Sequence, residues 1–254
     1  MLLAFLGDVH ANLEALMAVL EDIERRKVDE VYCLGDLVGY GPDPEEVVRE
    51  IEKRSIKSIM GNYDDAVGHS KSSCGCSYSP GRETEVGDIS LNWTIEHTSE
   101  EVKRFLRALP KRLSFEVEHV KFLLVHGSPL NELLEYIKPD TPADRLREIV
   151  QAVSEDIVVM GHTHLPMVKY AFGKLLVNPG SVGRPKDADP RASYMIARVE
   201  KGVVQFELVR VAYDVKKTIE KIVSRDLPLE LATVLALGQS FNMGRGKVDF
   251  SLNL

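Results

Sequence analysis

The chain has 254 residues, of which 44% are hydrophobic and 28% charged, and its formal net charge is -7. This composition is typical of a globular protein with a substantial core, and the negative charge argues against an extended nucleic-acid interface, which needs clustered Lys and Arg. No apolar run approaches the roughly 20 residues that span a bilayer, and the apolar start ends at Asp8, far short of a signal peptide. We therefore predict a cytoplasmic protein with no membrane interaction.

Strand and helix patterns alternate at the start of the chain. Three short apolar runs predict buried strands, at 2–6, 31–34 and 55–60. Behind the first two runs, apolar residues recur at helical spacing, after the candidate N-caps Asn12 and Asp43. Repeated strand-helix units indicate a partly parallel sheet with helices packed outside it.

The remainder of the chain is rich in hairpins. Residues 65–82 lose all periodicity and predict a long loop, after which two helices are expected before Pro110. Further strands are predicted at 113–117, 120–125, 156–160, 167–172, 175–178, 193–199 and 203–213. Helices are predicted at 142–153, 214–223 and 227–237, with no clear element in 238–254.

Two sheets packed face to face and flanked by helices accommodate both halves of the chain. No linker separates a second domain, so residues 1–254 are predicted to form a single domain. A loop and helical insertion at 65–110 and C-terminal helices with a tail at 214–254 are its two appendages.

The chain has three cysteines, an odd number that argues against a disulfide framework. Cys33 lies in an apolar run and is interpreted as buried. The close spacing of Cys74 and Cys76 leaves redox pairing or metal capture open. Two free thiols in a mobile loop is the simpler interpretation, because no second Cys pair completes a zinc site.

Polar side chains follow the predicted strand ends, where functional groups of such sheets collect. The segment Met160-Gly161-His162-Thr163-His164 follows the apolar run 157–159, and an extended backbone would aim both histidines the same way. By itself such a pair is also common as a surface or hydrogen-bonded pair. The complete set of strand-end groups is Asp8, His10, Asp36, Asn62, His126, His162 and His164.

These carboxylate, amide and imidazole groups suit Mn, Fe, Zn, Ni or Co. They are too many for one ion that keeps a position for water. Two ions about 3.5 to 4 Å apart, bridged by one carboxylate, would use them all. Such ions would also let a protein of net negative charge bind a small phosphorylated substrate.

The strand-end motifs, in their order and spacing, resemble those of the calcineurin-like metallophosphoesterases. The motifs are Gly7-Asp8-Val9-His10, Gly35-Asp36, Gly61-Asn62-Tyr63-Asp64, Val125-His126-Gly127 and Gly161-His162-Thr163-His164. The segments 36–43 and 178–185 further resemble the small YfcE-like prokaryotic branch of this family. The resemblance implies an α+β fold, specifically an α/β/β/α four-layer sandwich of two mixed sheets.

The resemblance also implies a division of ligands between two divalent transition metal ions, with Mn expected first and Fe, Ni, Co or Zn as alternatives. The first ion would be held by Asp8, His10 and His164, the second by Asn62, His126 and His162, and Asp36 would bridge them. A metal-bridging hydroxide would then attack phosphorus in line, with Asp36, Asn62 and His126 as catalytic residues.

The chain departs from the family at Tyr63, where many members have a His that helps to protonate the leaving group. A phenol is a poor acid at neutral pH. His69 or His97 could take over that role, or the leaving group could need little protonation. Protein phosphatase activity is not expected, because no Arg soon follows Asp36.

Three residues are candidate substrate contacts. Arg184 is interpreted as a phosphate clamp or a structural salt-bridge partner, Tyr40 as a stacking or a packing residue, and Tyr63 as substrate-binding. We predict hydrolysis of a small or nucleotide-like phosphodiester. The alternatives are a dinucleoside polyphosphate or other phosphoanhydride hydrolase and, outside enzymes, a protein-binding scaffold with a vestigial site, as in a retromer subunit of this fold. Assembly into an oligomer is left open.

Overall fold

The computed structural model describes residues 1–241, and within them ten strands form two mixed five-stranded sheets. The first sheet contains, in spatial order, β10 (Val203–Val211), β9 (Ala192–Glu200), β1 (Leu2–Leu6), β2 (Glu30–Cys33) and β3 (Lys57–Ser58). The second contains β4 (Arg112–Val117), β5 (Val120–Val125), β6 (Ile157–Met160), β8 (Lys174–Asn178) and β7 (Met167–Ala171). In the second sheet, two parallel pairs lie at the centre and antiparallel hairpins lie at both edges. In the first sheet, β1, β2 and β3 are parallel and β3 forms one edge, whereas the antiparallel hairpin of β9 and β10 forms the other.

The helices of the described residues pack outside the two sheets. They are α1 (Leu13–Arg26), α2 (Pro44–Lys53), α3 (Asn62–Gly68), α4 (Arg82–Glu96), α5 (Glu100–Ala108), α6 (Ala143–Gln151), α7 (Val215–Ser224) and α8 (Leu229–Leu237). The Asn12 side chain caps α1 by accepting a hydrogen bond from the amide of Ala15. Asp43 precedes α2 without a side-chain cap bond, because its carboxylate pairs with Lys221 and Arg225.

The strand side chains alternate between a core shared by the two sheets and a core beneath the helices on each side, which confirms the predicted layers. In β1, Leu3 and Phe5 face the second sheet, whereas Ala4 and Leu6 face the helices. In β6, Val159 joins the core between the sheets and Val158 packs with α6. A strand buried on both faces must be apolar throughout, which is why these runs show no alternation. The architecture is therefore helices, sheet, sheet and helices, as predicted.

The structure differs from the predicted elements in three places. The strand expected over 55–60 is reduced to β3, because the amide of Met60 leaves the ladder and donates to the carbonyl of Pro110. The loop predicted from residue 65 begins only after α3, whose first turn is held by the Asp64 carboxylate. Cys74 and Cys76 are paired as a disulfide, so their interpretation as two free thiols is wrong.

Other predictions lie outside what the structure describes or tests. The expected absence of an element in 238–254 falls almost wholly outside the described residues. The assignment of residues 1–254 to a single domain stays a prediction. Within residues 1–241, no helix combines the length and apolar composition needed to cross a membrane.

Candidate metal centre

The carboxyl ends of the parallel strands in both sheets meet at one end of the sandwich. Asp8 and His10 follow β1, and His164 follows β6. One ligand atom from each of these three residues lies within 4.8 Å of the others, and all three side chains are at most 2% exposed. This first triad therefore contains every residue predicted to hold only the first ion.

A second triad lies beside the first. Asp36, His126 and His162 follow β2, β5 and β6, and their ligand atoms also lie within 4.8 Å of one another. The Asn62 Oδ1 atom is 3.0 Å from His126 Nε2, which places the predicted amide ligand at the same triad. The structure thus brings together all of the strand-end groups that the sequence singles out.

Asp36 lies between the two triads. Its Oδ2 atom is 3.5 Å from His10 Nε2 and 3.4 Å from His126 Nε2. Its other oxygen, Oδ1, accepts a hydrogen bond of 2.8 Å from the amide of Tyr63, which fixes the orientation of the carboxylate. One oxygen of Asp36 is therefore available to both triads at once.

Two pairs of hydrogen-bond acceptors face each other inside this centre. The Nδ1 atoms of His10 and His164 donate to the carbonyls of Val38 and Arg184, at 3.1 and 2.6 Å. Each Nε2 atom consequently carries a lone pair, and the two Nε2 atoms lie 3.1 Å apart. Two lone pairs at that distance repel each other unless a cation lies between them.

The second pair has the same character. His126 Nδ1 donates to the carbonyl of Leu34 at 2.7 Å, and Asn62 Nδ2 donates to the carbonyl of Cys74 at 3.0 Å. When His126 is neutral, both groups therefore turn an acceptor toward each other, and a proton or a cation is needed between them. Backbone carbonyls orient the ligating histidines in this way in many metal sites. The donor set and its orientation fit divalent ions at both triads.

Two buried ligand atoms also lack a hydrogen-bond partner among the described residues, Asp8 Oδ2 and His162 Nε2. Burying an acceptor without a partner costs free energy, so native proteins rarely do so without a compensating ion or water. Each orphaned atom belongs to a different triad. Both triads therefore carry independent signs of a ligand role.

Burial and mutual charge shift the pKa values of the metal-free centre. Burial raises the pKa of Asp8 to about 7 and lowers the pKa of His10 to about 3. The pKa values of His162 and His164 are likewise held well below the ordinary value by burial. These three histidines are therefore unprotonated at neutral pH, which is the form that binds metal.

His126 behaves differently from the other histidines. Burial lowers its pKa, but the carboxylate of Asp36 outweighs burial and raises the pKa to about 9. In turn, burial raises the pKa of Asp36, and the histidines around it outweigh that effect and hold the pKa below its ordinary range. A metal ion must displace the proton of His126, so metal binding to this triad releases a proton.

The backbone at the centre is strained. Asp8, His10, Asp36, His162 and His164 all have positive φ, between 49° and 66°, in the left-handed region that residues with a side chain rarely adopt. Strain of this kind concentrates at functional sites, at a cost of roughly 1–3 kcal/mol per residue. The prediction that His162 and His164 project from an extended segment is therefore wrong, because β6 already ends at Met160.

A cavity of about 300 Å³ opens beside the centre, and it bears on the predicted substrate contacts. Tyr40 and Arg184 line it, with the Arg184 guanidinium 4.0 Å from the centre of the Tyr40 ring. Tyr63 is fully buried beneath Tyr40 and is absent from the cavity lining, so the structure does not support its predicted substrate contact. His69 and His97 do not line the cavity either.

Several residues that surround the centre escaped the sequence interpretation. Asp64 accepts hydrogen bonds from the amides of Leu37 and Gly61, and so it joins the loops that carry Asp36 and Asn62. Its place in the motif 61–64 was the signal that could have revealed it. Tyr136 packs on the His162 ring at 3.9 Å between ring centres. Neither Tyr136 nor the cavity residue Lys186 carries any sequence signal.

Fold and donor set together define a metal-dependent phosphoric ester hydrolase. The family model of the calcineurin-like phosphoesterase superfamily domain matches residues 1–202, and the chain belongs to that superfamily. An uncharacterized protein of Methanocaldococcus jannaschii is 35% identical over 259 residues, which cover 94% of this chain and 98% of that protein. The resemblance seen in the motifs is thereby confirmed.

Two further relatives extend this comparison. The crystal structure of a metallophosphoesterase from Sphaerobacter thermophilus superimposes with a TM-score of 0.75 at 32% identity, covering 94% of this chain and 99% of that one. The phosphodiesterase YfcE of Escherichia coli strain K12 is 25% identical over 205 residues, covering 76% of this chain and 85% of that protein. Membership of the family implies divalent metal ions at the centre.

Proposed function

We propose that this chain is a phosphodiesterase that uses two divalent metal ions to hydrolyse a small, nucleotide-like substrate. The observation that carries the proposal is the pair of buried triads whose acceptor atoms face each other across the shared carboxylate of Asp36. The likeness to a named phosphodiesterase supports the reaction type. The basic residues that line the adjoining cavity, Arg184, Lys186 and Lys138, support an anionic substrate.

The ligand roles follow the two triads. Asp8, His10 and His164 would hold one ion, Asn62, His126 and His162 the other, and Asp36 would contact both. When bound, two such ions supply an activated water and positive charge close to the phosphoryl oxygens. The mixed oxygen and nitrogen donors suit Mn, which we propose as the first candidate, and also Fe, Ni, Co and Zn.

The protein positions these groups before the substrate arrives. Carbonyls fix the imidazoles of His10, His126 and His164, so each presents its Nε2 atom inward. Asp64 joins the loops that carry Asp36 and Asn62. The Asp64 carboxylate is fully buried, and both of its oxygens accept hydrogen bonds. Preorganised charge of this kind is the principal contribution that a protein makes to phosphoryl transfer.

The leaving group receives little help with protonation. Burial raises the pKa of Tyr63 well above its ordinary value, and its hydroxyl is 2.7 Å from the hydroxyl of Tyr78 rather than in the cavity. Neither His69 nor His97 substitutes for it. The site therefore suits a substrate whose leaving group departs as a stable anion.

The decisive experiment compares two chromogenic esters on metal-loaded protein. We expect bis-p-nitrophenyl phosphate to be hydrolysed faster than p-nitrophenyl phosphate with Mn, Ni or Co added. A preference for the monoester would overturn the diesterase assignment. If neither ester is hydrolysed although both ions are bound, the protein-binding scaffold becomes the better explanation.

Two variants test the ligand assignment directly. Asp36→Asn and His126→Ala should each abolish hydrolysis and reduce the bound metal measured by plasma mass spectrometry. Lys201→Met is a matched surface control, because Lys201 is exposed in the turn between β9 and β10 at the opposite end of the sheet. Activity near that of the wild type in a metal-depleted Asp36→Asn protein would contradict the two-metal proposal.

A further inference from the structure

The cavity beside the metal centre is separated from each triad by one aromatic ring. On one side, the Tyr40 ring lies 4.8 Å from the His10 ring, and on the other the Tyr136 ring lies 3.9 Å from the His162 ring. Thr163, which separates the last two histidines, also lines the cavity. A ligand in this cavity would therefore adjoin any phosphoryl group held at the centre. Its volume of about 300 Å³ is at the small end of the range for small-molecule sites.

The walls of this cavity carry an excess of positive charge. Arg184, Lys186 and Lys138 line it, whereas Glu83 is the one carboxylate among its described lining residues. The Glu83 carboxylate already accepts a hydrogen bond of 2.9 Å from the amide of Ser79. Within residues 1–241, neither Arg184 nor Lys186 forms an ion pair with any carboxylate.

Arg184 is held in place without an anionic partner among residues 1–241. Its side chain is 4% exposed, and its Nε atom has no hydrogen-bond partner among the described residues. The guanidinium lies 4.0 Å from the centre of the Tyr40 ring and 5.0 Å from that of Phe241. Stacking orients the planar group and leaves Nε without a partner among the described residues. A buried donor that is oriented but has no partner is a feature expected of a site that binds an anionic ligand.

Lys186 shares this electrostatic environment. Burial, together with the positive charge of Arg184, lowers the pKa of Lys186 to about 7. Lys186 is half-buried, and it lines the same cavity as Arg184. An anion placed between the two groups would remove their repulsion and keep Lys186 charged. A phosphate matches both the bidentate fork of Arg and the point charge of Lys.

We infer that Arg184 and Lys186 form a subsite for a second phosphate of the substrate, on the leaving-group side of the bond that is broken. The substrate class is then a phosphoanhydride, such as a nucleoside or dinucleoside polyphosphate. This inference rests on the proposed two-metal phosphodiesterase, and it narrows the substrate to one whose attacked phosphorus carries a second phosphate, through a bridging oxygen, as its leaving group. It also explains why no general acid is present at Tyr63.

The reaction balances without a proton donor from the protein. A water oxygen forms a bond to phosphorus, and the bond from phosphorus to the bridging oxygen breaks. The electron pair of that bond remains on the departing phosphate, whose added negative charge lies against Arg184 and Lys186. The protons of the water pass to solvent. A phosphate leaves readily as an anion, whereas an alkoxide would need an acid.

The first test measures binding and does not depend on turnover. Calorimetry with Mn-loaded protein should show that α,β-methylene-ADP, a non-hydrolysable analogue with one phosphate more than AMP, binds about 10- to 100-fold more tightly than AMP. Lys186→Met should remove most of this difference, Lys186→Arg should retain part of it, and Lys201→Met should leave it unchanged. Equal affinities for the ADP analogue and AMP in the wild type would overturn the subsite.

The second test compares two substrates in the same proteins. Lys186→Met should lower kcat/KM for diadenosine tetraphosphate about tenfold or more, but that for bis-p-nitrophenyl phosphate less than about twofold. Equal losses on both substrates, or no loss on either, would contradict the inference. If the metal-loaded wild type hydrolyses neither substrate, the proposed function fails, and the binding experiment still decides whether the subsite exists.

Discussion

Tyr63 lies beside the metal centre, and substitution of this residue distinguishes a structural role of its hydroxyl from a catalytic one. Tyr63→Phe deletes one hydroxyl from a ring that is fully buried. That hydroxyl lies 2.7 Å from the hydroxyl of Tyr78, which keeps a second partner at 2.7 Å in Tyr40. The substitution therefore removes one hydrogen bond and leaves no orphaned group on Tyr78.

We expect Tyr63→Phe to lower the stability of the protein slightly and to leave the rate of hydrolysis almost unchanged. Loss of one neutral hydrogen bond destabilises by about 1 kcal/mol, which lowers the melting temperature of a chain of this size by roughly 2–4 °C. Because burial holds the pKa of Tyr63 well above its ordinary value, the phenol donates no proton at neutral pH. We expect kcat to change less than about twofold.

The assay needs substrates with different leaving groups. The leaving group of a p-nitrophenyl ester departs as a stabilised phenolate. The leaving group of a dinucleoside monophosphate departs as an alkoxide, which needs a proton. If Tyr63 were the general acid, Tyr63→Phe would slow the alkoxide substrate by a factor of about 10² to 10⁴ and spare the aryl ester. That result would refute the supporting role assigned to Tyr63.

Tyr194→Phe is the matched control for this experiment. Tyr194 is also fully buried, and its hydroxyl donates a hydrogen bond of 2.7 Å to Asp22, remote from the metal centre. A similar loss of melting temperature without any loss of activity shows that modest destabilisation alone does not slow hydrolysis.

Three further predictions follow from the site and its surroundings. Chelation of the metals should lower the melting temperature measured by calorimetry by about 5–10 °C, because an ion at 100 times its Kd stabilises the folded protein by about 2.7 kcal/mol. An unchanged melting temperature would argue against bound metal. Gly183→Ala should destabilise the protein by about 3 kcal/mol or more in urea unfolding and reduce activity, because the new Cβ would lie 1.7 Å from the carbonyl oxygen of Val9. A loss of stability below about 1 kcal/mol would contradict this close packing. Reduction of the disulfide with a phosphine should weaken Mn binding at the second triad, because Cys74 and Cys76 both accept hydrogen bonds from Asn62 Nδ2. A Cys74→Ser/Cys76→Ser variant is the control, and its Mn binding should not respond to the reductant.

Much of the fold was predictable because strand burial and strand ends leave plain signals. A strand covered on both faces must be apolar, so runs such as 2–6 and 157–159 stood out, and each ended at a polar group. The short helix α3 left no such signal, because its residues lack apolar periodicity and its first turn is held by Asp64.

The surroundings of the centre were less predictable, for reasons of backbone geometry. The left-handed conformations of His162 and His164 depend on contacts with other loops, such as the amide of His162 donating to Asp8 Oδ1. Lys186 belongs to no motif and reaches the cavity only through the loop that follows β8. Likewise, nothing in the spacing of Cys74 and Cys76 decides whether they pair.

The loop at 181–183 has a consequence for how the protein acquires its metals during folding. The Ser181 hydroxyl and the amide of Gly183 both donate to the carbonyl of Asp8, and β1 pairs with β9, almost the whole chain away in sequence. The backbone that carries Asp8 therefore takes its final position only after residues 181–200 have joined the first sheet. We expect the first ion to bind after that step, so the free metal pool at that stage, together with ligand preference, sets which ion is bound.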